Sequence, residues 1–338
     1  MRPDLDPIVT RKIKQLLSDK QLPISIVTHT NPDGDSAGSS LGLYGFLLSE
    51  GFSKVKVVSP DSLPRFLHWL PWQNEIIIAE NNLKEAERII RESAVVFCLD
   101  FNGFGRANSL ATILSASKAI KILVDHHPEP EPVFDIVLSD VAASSTAELV
   151  YRLIVSLGCK EPVMLQIAEC LYAGIVTDTG SFSYSCNHPN TYLITASLIA
   201  SGVDGEKLHR LIYHNYSEDR MRLLGLCLGE KLEVLSEKNA AFISLSRDDL
   251  ARYNHATGDT EGFVNYAMSI ENITFAALFI EKDDHVKISF RSVGDIDVNL
   301  FARKYFCGGG HKNASGGKSS ESLIQTVNRF RDLVNNNF

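Results

Sequence analysis

Imidazole and carboxylate groups recur at four separate places in the chain. "VTHTNPDGDSAGSS" sets His29, Asp33 and Asp35 within seven residues, "VVFCLD" ends in Asp100, "KILVDHH" ends in Asp125, His126 and His127, and "VTDTGSF" carries Asp178. Taken singly, each has an ordinary reading. An aspartate after a strand is usually a cap or turn residue, and Asp35 would cap a helix starting near Ser36. Taken together they repeat one chemistry. Carboxylates with imidazole and without thiolate suit hard to borderline divalent ions, manganese or magnesium ahead of a structural zinc. Five or more such ligands exceed what one ion needs once water is counted, so two ions sharing a bridging carboxylate is the natural arrangement. Such pairs, about 3.5–4 Å apart, activate water and stabilise both oxygens of an in-line displacement at phosphorus.

The elements that must position these groups are legible as strands and helices. "ISIVTH", "VKVVS", "VVFCLD" and "KILVDH" are short and mostly apolar, as strands buried on both faces should be. Between them "SAGSSLGLYGFLLSEG" and "LKEAERIIRES" have the spacing of helices. Strand–helix alternation predicts an α/β fold with a parallel, doubly wound sheet, whose ligand crevice lies at the carboxyl ends of the strands. The corners of the site would converge there without sequence proximity. From about Ser144 the pattern turns helical: "SSTAELVYRLIVSLG" opens with Ser145 and has Glu148 three residues later, the pattern of a capping box, and two further helices follow. In the first loop, Pro32 turns Asn31 away from helical geometry and Gly34 lets both aspartates face inward. "AAFISLS", "TFAALFIE" and "HVKISFRSV" predict a second, smaller sheet, and a terminal helix begins near Ser320. The expected division is a first domain over 1–203, a helical linker over 204–229 and a smaller α/β domain over 230–338.

Composition narrows the partners. Lysine and arginine total 33 against 41 acidic residues, a net charge of −8 that makes a poor general binder of long nucleic acid. Six cysteines without a CxxC pair, several inside apolar runs, read as buried thiols of a reducing compartment. "MRPDLDPIVTRKIKQ" has no apolar signal region and no apolar run reaches membrane-spanning length, so the expectation is a cytoplasmic protein with no membrane partner.

"HTNPDGDSAGSS", "LDFNGFGR", "VDHHPE" and "VTDTGSF" resemble, in order, the four motifs of the DHH phosphoesterase superfamily, and "GGGHKNASGG" resembles the glycine-rich signature of the DHH-associated C-terminal domain (DHHA1). The resemblance covers nearly the whole chain. It implies that His29 and Asp33 hold one ion, that Asp35, His126 and Asp178 hold the other, and that Asp100 bridges. His127 would face the scissile phosphate as a transition-state stabiliser or proton donor, with Asp125 orienting a neighbouring histidine. A metal-bridging hydroxide would be the nucleophile. Arg291 and His311 would belong to the substrate-holding half, with Gly308, Gly309 and Gly310 presenting N–H groups to an anion; Arg106 would reach the phosphate or lie on the surface. Phe101 and Asn102 stand where the family usually has smaller residues.

Within that family the longer RecJ-type exonucleases, the family II pyrophosphatases and the membrane-bound cyclic-dinucleotide phosphodiesterases differ in architecture. The compact two-domain form resembles the bifunctional oligoribonuclease (nanoRNase) and pAp phosphatase group. The implied activity is manganese- or magnesium-dependent hydrolysis of short RNA or of the nucleoside bisphosphate pAp. A cyclic- or linear-dinucleotide phosphodiesterase is the alternative, and a catalytically silent nucleotide binder is a distant third. Monomer and homodimer stay open.

Overall fold

The computed structural model describes residues 5–256 and 258–337. The chain forms two compact units, Met1–Asn215 and Tyr216–Phe338. The division falls inside the 204–229 stretch. The helix Gly205–Tyr213 belongs to the first unit and the helix Glu218–Leu226 to the second, because each has an apolar side to bury against its own neighbours.

The first unit runs α1 (Pro7–Leu16), β1 (Ile24–Val27), α2 (Gly34–Ser49), β2 (Val55–Ser59), β3 (Ile76–Ile78), α3 (Leu83–Glu92), β4 (Val95–Leu99), α4 (Ala111–Ala116), β5 (Ile120–Asp125), β6 (Ile136–Ser139), α5 (Thr146–Ser156), α6 (Leu165–Asp178), α7 (Pro189–Ala200) and α8 (Gly205–Tyr213). Its six strands are all parallel, in the order β3-β2-β1-β4-β5-β6. β1 and β4 are buried at every residue, which is why their sequences read as continuous apolar runs. One face of the sheet packs on α2, α5 and α6 through Leu41, Leu149 and Leu171; the other packs on α3 and α4 through Ile90 and Leu114. The two edge strands, β3 and β6, are absent from the sequence expectation. "III" and "IVLS" are too short to carry a period, and they become strands only by pairing with β2 and β5.

The strand order reverses between β1 and β4, and in open α/β sheets a ligand crevice opens outside the carboxyl ends at such a point. α2 roofs this place and is buried from Gly34 to Leu47. Its contact with α6 is close: a Cβ on Gly38 would sit 2.4 Å from the Cys170 carbonyl oxygen.

The second unit runs α9 (Glu218–Leu226), β7 (Leu232–Leu235), β8 (Ala240–Leu245), α10 (Arg247–Arg252), α11 (Phe263–Met268), β9 (Phe275–Glu281), β10 (Val286–Ser292), α12 (Val298–Tyr305), β11 (Gly309–His311), β12 (Ala314–Ser319) and α13 (Leu323–Asn337). Its sheet is mixed, in the order β11-β12-β10-β9-β8-β7, with β8 and β9 parallel and the other pairs antiparallel. One face is sealed by a group of aromatic rings, Phe275, Phe290, Phe301 and Phe330, with α12 and α13. Cys98, Cys170, Cys186 and Cys227 are buried free thiols as expected, whereas Cys307 is exposed. Among the described residues no helix is long and apolar enough to cross a membrane.

Candidate metal centre

β1 delivers His29 and β4 delivers Asp100 on the two sides of the strand-order reversal. β5 ends in Asp125 and hands on to His126 and His127, while Asp33 and Asp35 flank the start of α2 and Asp178 is the last residue of α6. All eight residues lie in the first unit.

Asp100 is central. Its Oδ2 lies 3.3 Å from His29 Nε2 and its Oδ1 lies 3.6 Å from His126 Nε2, so its two oxygens face two different imidazoles. Asp33 Oδ1 is 3.8 Å from His29 Nε2, while Asp35 Oδ2 and Asp178 Oδ2 are 3.8 and 3.4 Å from His126 Nε2. Ligand-type atoms of His29, Asp33 and Asp100 lie within 4.8 Å of one another, and so do those of Asp35, Asp100 and His126. Asp100 holds this position in a left-handed conformation, φ +65°, costing roughly 1–3 kcal/mol that the surrounding packing must offset.

The donor set fits divalent cations. His29 Nδ1 is 2.7 Å from the Thr30 carbonyl, so it carries the proton, and Nε2 is left as a lone-pair nitrogen. Among the described residues that buried Nε2 has no hydrogen-bond partner, and it looks onto carboxylate oxygens, which are themselves acceptors. A cation between them resolves the conflict.

Electrostatics say the same. Burial, with the negative charges of Asp100 and Asp178, lifts Asp35 well above the carboxylate range, and burial together with Asp33 does so for Asp100. His126 is pushed up to about 9: burial opposes its charge, but Asp178, Asp100 and Asp35 outweigh it. In the metal-free protein a proton on His126 thus does part of a cation's work. Burial lowers His29. Burial works against the charge of Asp33, yet His29 and the Ser36 N–H hold it below its usual range.

His127 stands beside this cluster. Its Nδ1 is 2.7 Å from Oδ1 of Asp125, which is fully buried. Burial lowers His127 to about 4 despite that partner, while the bond to His127 outweighs burial at Asp125 and keeps it ionised. His127 is therefore neutral at physiological pH, with its Nδ1–H donated to Asp125. Arg106 depresses the proton affinities of His29 and His127, which puts its charge near both, and its carbonyl accepts from Thr30 N–H at 2.7 Å.

Several local readings change. The helix cap is Asp33, whose Oδ1 accepts from the N–H groups of Asp35 and Ser36; Asp35 sits inside the first turn. The backbone twist in the loop comes from Asn31, at φ +51°, and not from Gly34. Gly34 is needed because a Cβ there would lie 2.2 Å from Thr177 Oγ1. The capping box at α5 is half-formed: Ser145 Oγ accepts from Glu148 N–H, but the buried Glu148 carboxylate turns to Ser144 and Thr191 instead. Phe101 is swallowed by the core beside Phe134, and Asn102 donates to the Pro128 carbonyl, clasping the segment after His127.

Sequence reasoning missed two residues that set the geometry. The start of α5 grips the centre: Thr146 N–H donates to Asp35 Oδ2 at 2.6 Å, Ala147 N–H to Asp35 Oδ1 at 2.8 Å, and Thr146 Oγ1 to Asp100 Oδ1 at 2.9 Å. Free N–H groups at a helix start are natural anion holders. Asp61 accepts from Thr30 Oγ1 and Asn31 N–H, pinning the loop after His29. The "SST" preceding an apolar helix was a signal for the first; "SPDS" gave none for the second.

In the second unit, strand register puts Arg291 and His311 on one face, flanking Ala314. The glycines do not form the expected anion nest. Gly308 N–H donates to the Ala302 carbonyl and Gly310 N–H to Asn299 Oδ1, and a Cβ on Gly308 would lie 2.0 Å from the Gly316 carbonyl oxygen. Close strand contact explains Gly308 and Gly310, whereas a Cβ on Gly309 would meet only side-chain atoms of Asn299 and Arg303, at 3.5 Å and beyond.

A parallel sheet with paired imidazole–carboxylate corners at its strand-order reversal defines a DHH-type protein. Residues 23–175 match the DHH family, N-terminal domain, and residues 242–338 match the DHHA1 domain; the chain belongs to the DHH family. It is 30% identical over 294 residues to the bifunctional oligoribonuclease and PAP phosphatase NrnA of Bacillus subtilis, covering 85% of this chain and 86% of that one. The protein of the same name from Thermus thermophilus is 28% identical over 307 residues, with 90% and 87% covered. Among solved structures, an exopolyphosphatase-related protein from Bacteroides fragilis superposes with a TM-score of 0.93 at 37% identity over 99% of this chain and 98% of that one. RecJ of Thermus thermophilus with Mn2+ shares the fold, at a TM-score of 0.57 and 15% identity over 98% of this chain and 55% of that one.

Proposed function

We propose that the chain is a cytoplasmic phosphoesterase, dependent on two divalent ions, that hydrolyses short oligoribonucleotides and pAp. The observation that carries the reading is Asp100, whose two oxygens face His29 and His126 at the strand-order reversal. The names of the relatives in Bacillus subtilis and Thermus thermophilus support the substrate class.

His29 and Asp33 would hold one ion, Asp35, His126 and Asp178 the other, with Asp100 shared; an oxygen-rich set with imidazole favours manganese over zinc. When bound, the ions would supply positive charge at phosphorus and a water acidified enough to act as nucleophile. The chain's own groups do the rest. Arg106 brings positive charge toward the phosphate. Asp125 fixes the tautomer and direction of His127, which leaves Nε2 as the basic nitrogen. An arriving anionic phosphate raises the proton affinity of His127. The imidazole would thus take a proton from the attacking water and give it to the leaving ribose oxygen as the P–O bond breaks, leaving a hydroxyl on the sugar and the oxygen of the water on phosphorus. Residues 230–338, through Arg291 and His311, would hold the terminal nucleotide, with 1–203 as the catalytic part and 204–229 as the linker.

The test is a substrate panel. Purified protein with manganese is offered RNA of two to five nucleotides, pAp, cyclic dinucleotide, pyrophosphate and long single-stranded DNA. Fastest release from short RNA or pAp is expected. Preference for pyrophosphate or the long strand overturns the substrate class, and no hydrolysis with metal bound overturns the enzyme.

A further inference from the structure

The second sheet has one face sealed by aromatic rings, but its other face is only half covered. There Ala276, Leu278 and Ile280 of β9 lie under α9 and α11, α11 reaches as far as β10, and Lys287, Gly316 and Lys318 on the same face are exposed. β10 alternates strictly: Val286, Ile288, Phe290 and Ser292 are buried, while Lys287, Ser289 and Arg291 point the other way. The register continues that face across β12 and β11 in rows. Arg291 is beside Ala314 and His311; Ser289 is beside Gly316 and Gly309; Lys287 is beside Lys318.

Two features of this face have no structural reason. Lys287 and Lys318 are exposed and directly opposite each other, a like-charge pairing that destabilises an antiparallel ladder. Among the described residues neither has a carboxylate at ion-pair distance. The nearby acids Asp283 and Asp284 are solvent-exposed and pair with Arg247 and His285, and Asp284 also feels the charge of Lys318 without reaching ion-pair distance. Lys282 adds to the positive field: burial first, then Lys287, lowers its proton affinity, with Asp283 pulling the other way. The second feature is Gly316, exposed mid-strand between the cationic rows. A Cβ there would meet only the Ile288 carbonyl oxygen, at 3.8 Å, so packing does not require glycine. A bare strand position of this kind marks a place where another backbone comes close.

We propose that this open face is a lane for the sugar–phosphate backbone of a short single-stranded oligonucleotide, with Lys287 and Lys318 holding a phosphate further along the strand than the one at Arg291 and His311. The inference rests on the proposed function and deepens it, giving the site a reason to distinguish oligonucleotides by length. Four residues of strand separate Arg291 from Lys287, about 14 Å. A mononucleotide bisphosphate held at one end does not span that distance, whereas an oligonucleotide does.

The test compares wild type with K287A/K318A and with G316V in the full-length chain. With manganese, both variants are expected to hydrolyse pAp and dinucleotide as wild type does, and to show a KM for pentaribonucleotide raised about tenfold, some 1.4 kcal/mol. For K287A/K318A the salt dependence of that KM should also flatten, by about 0.7 in log–log slope for each phosphate no longer held. An unchanged pentamer KM overturns the lane, and so do equal losses on pAp and pentamer. A second measurement separates this proposal from its parent. Anisotropy of a labelled pentaribonucleotide is followed in EDTA, where no turnover occurs. Absent hydrolysis of every substrate refutes the parent function. Weaker pentamer binding by both variants supports the lane, and equal or absent binding in all three proteins refutes it.

Discussion

Thr146 offers the sharpest test of how the centre is built. Its hydroxyl donates to Asp100 Oδ1 at 2.9 Å, on the same oxygen that faces His126, and it is fully buried. Thr146→Val keeps the shape and the backbone N–H that holds Asp35, and removes only that hydroxyl. A hydrogen bond to a charged partner contributes about 1.5–3 kcal/mol. The carboxylate would then be free to rotate away from the orientation that serves both imidazoles. That energy corresponds to a fall of about 10–100-fold in affinity for divalent ions, the range usual for groups that orient metal ligands. Calorimetric titration of metal-free protein with manganese measures it directly, without turnover. Thr146→Ser restores the donor and should return affinity to near wild type. Equal affinity in wild type and the valine variant refutes the argument, as does a serine variant as weak as valine.

Other outcomes follow from the same geometry. Asp100→Asn should reduce bound manganese from two equivalents to fewer than one, measured by elemental analysis after dialysis, because one side chain faces both histidines. Metal uptake should release protons. Ionisable ligands must shed them to bind, and His126 is held up to about 9 with Asp35 and Asp100 also raised, so apparent affinity should climb from pH 6 to pH 8.5. Calorimetry in buffers of different ionisation enthalpy reads the proton count, and zero or net uptake contradicts the assignment. Gly38→Ala should lower the melting temperature, because its new methyl meets backbone at Cys170 and Gly174 instead of a yielding side chain; overpacking of this kind costs about 1–3 kcal/mol. His127→Gln should depress turnover while leaving manganese stoichiometry at the wild-type value.

The strand tips were legible because buried parallel strands announce themselves as apolar runs, and His29, Asp100 and Asp125 stand at or just beyond their ends. The edge strands were not, since three or four residues of "III" or "IVLS" take their conformation from a neighbour. Thr146 and Asp61 stayed hidden for another reason. A threonine before a helix and an aspartate in a turn have adequate local explanations, and nothing local reveals a partner 111 or 31 positions away. The glycine run misled in the opposite direction. Consecutive glycines suit an anion nest, but two of the three N–H groups are already committed to Ala302 and Asn299.

The grip of α5 on Asp35 also bears on the order of events during folding. Asp35 and Thr146 lie 111 residues apart, and Asp100 and Thr146 46 apart, so the centre closes only after β4 and β5 have paired and α5 has docked. Contacts of such sequence separation form late. A partly made chain emerging from the ribosome, or a fragment left by a protease, carries His29, Asp33 and Asp35 without the helix start that aims them. On the proposed assignment, the full set of ion ligands is therefore assembled and aimed only in the completed fold.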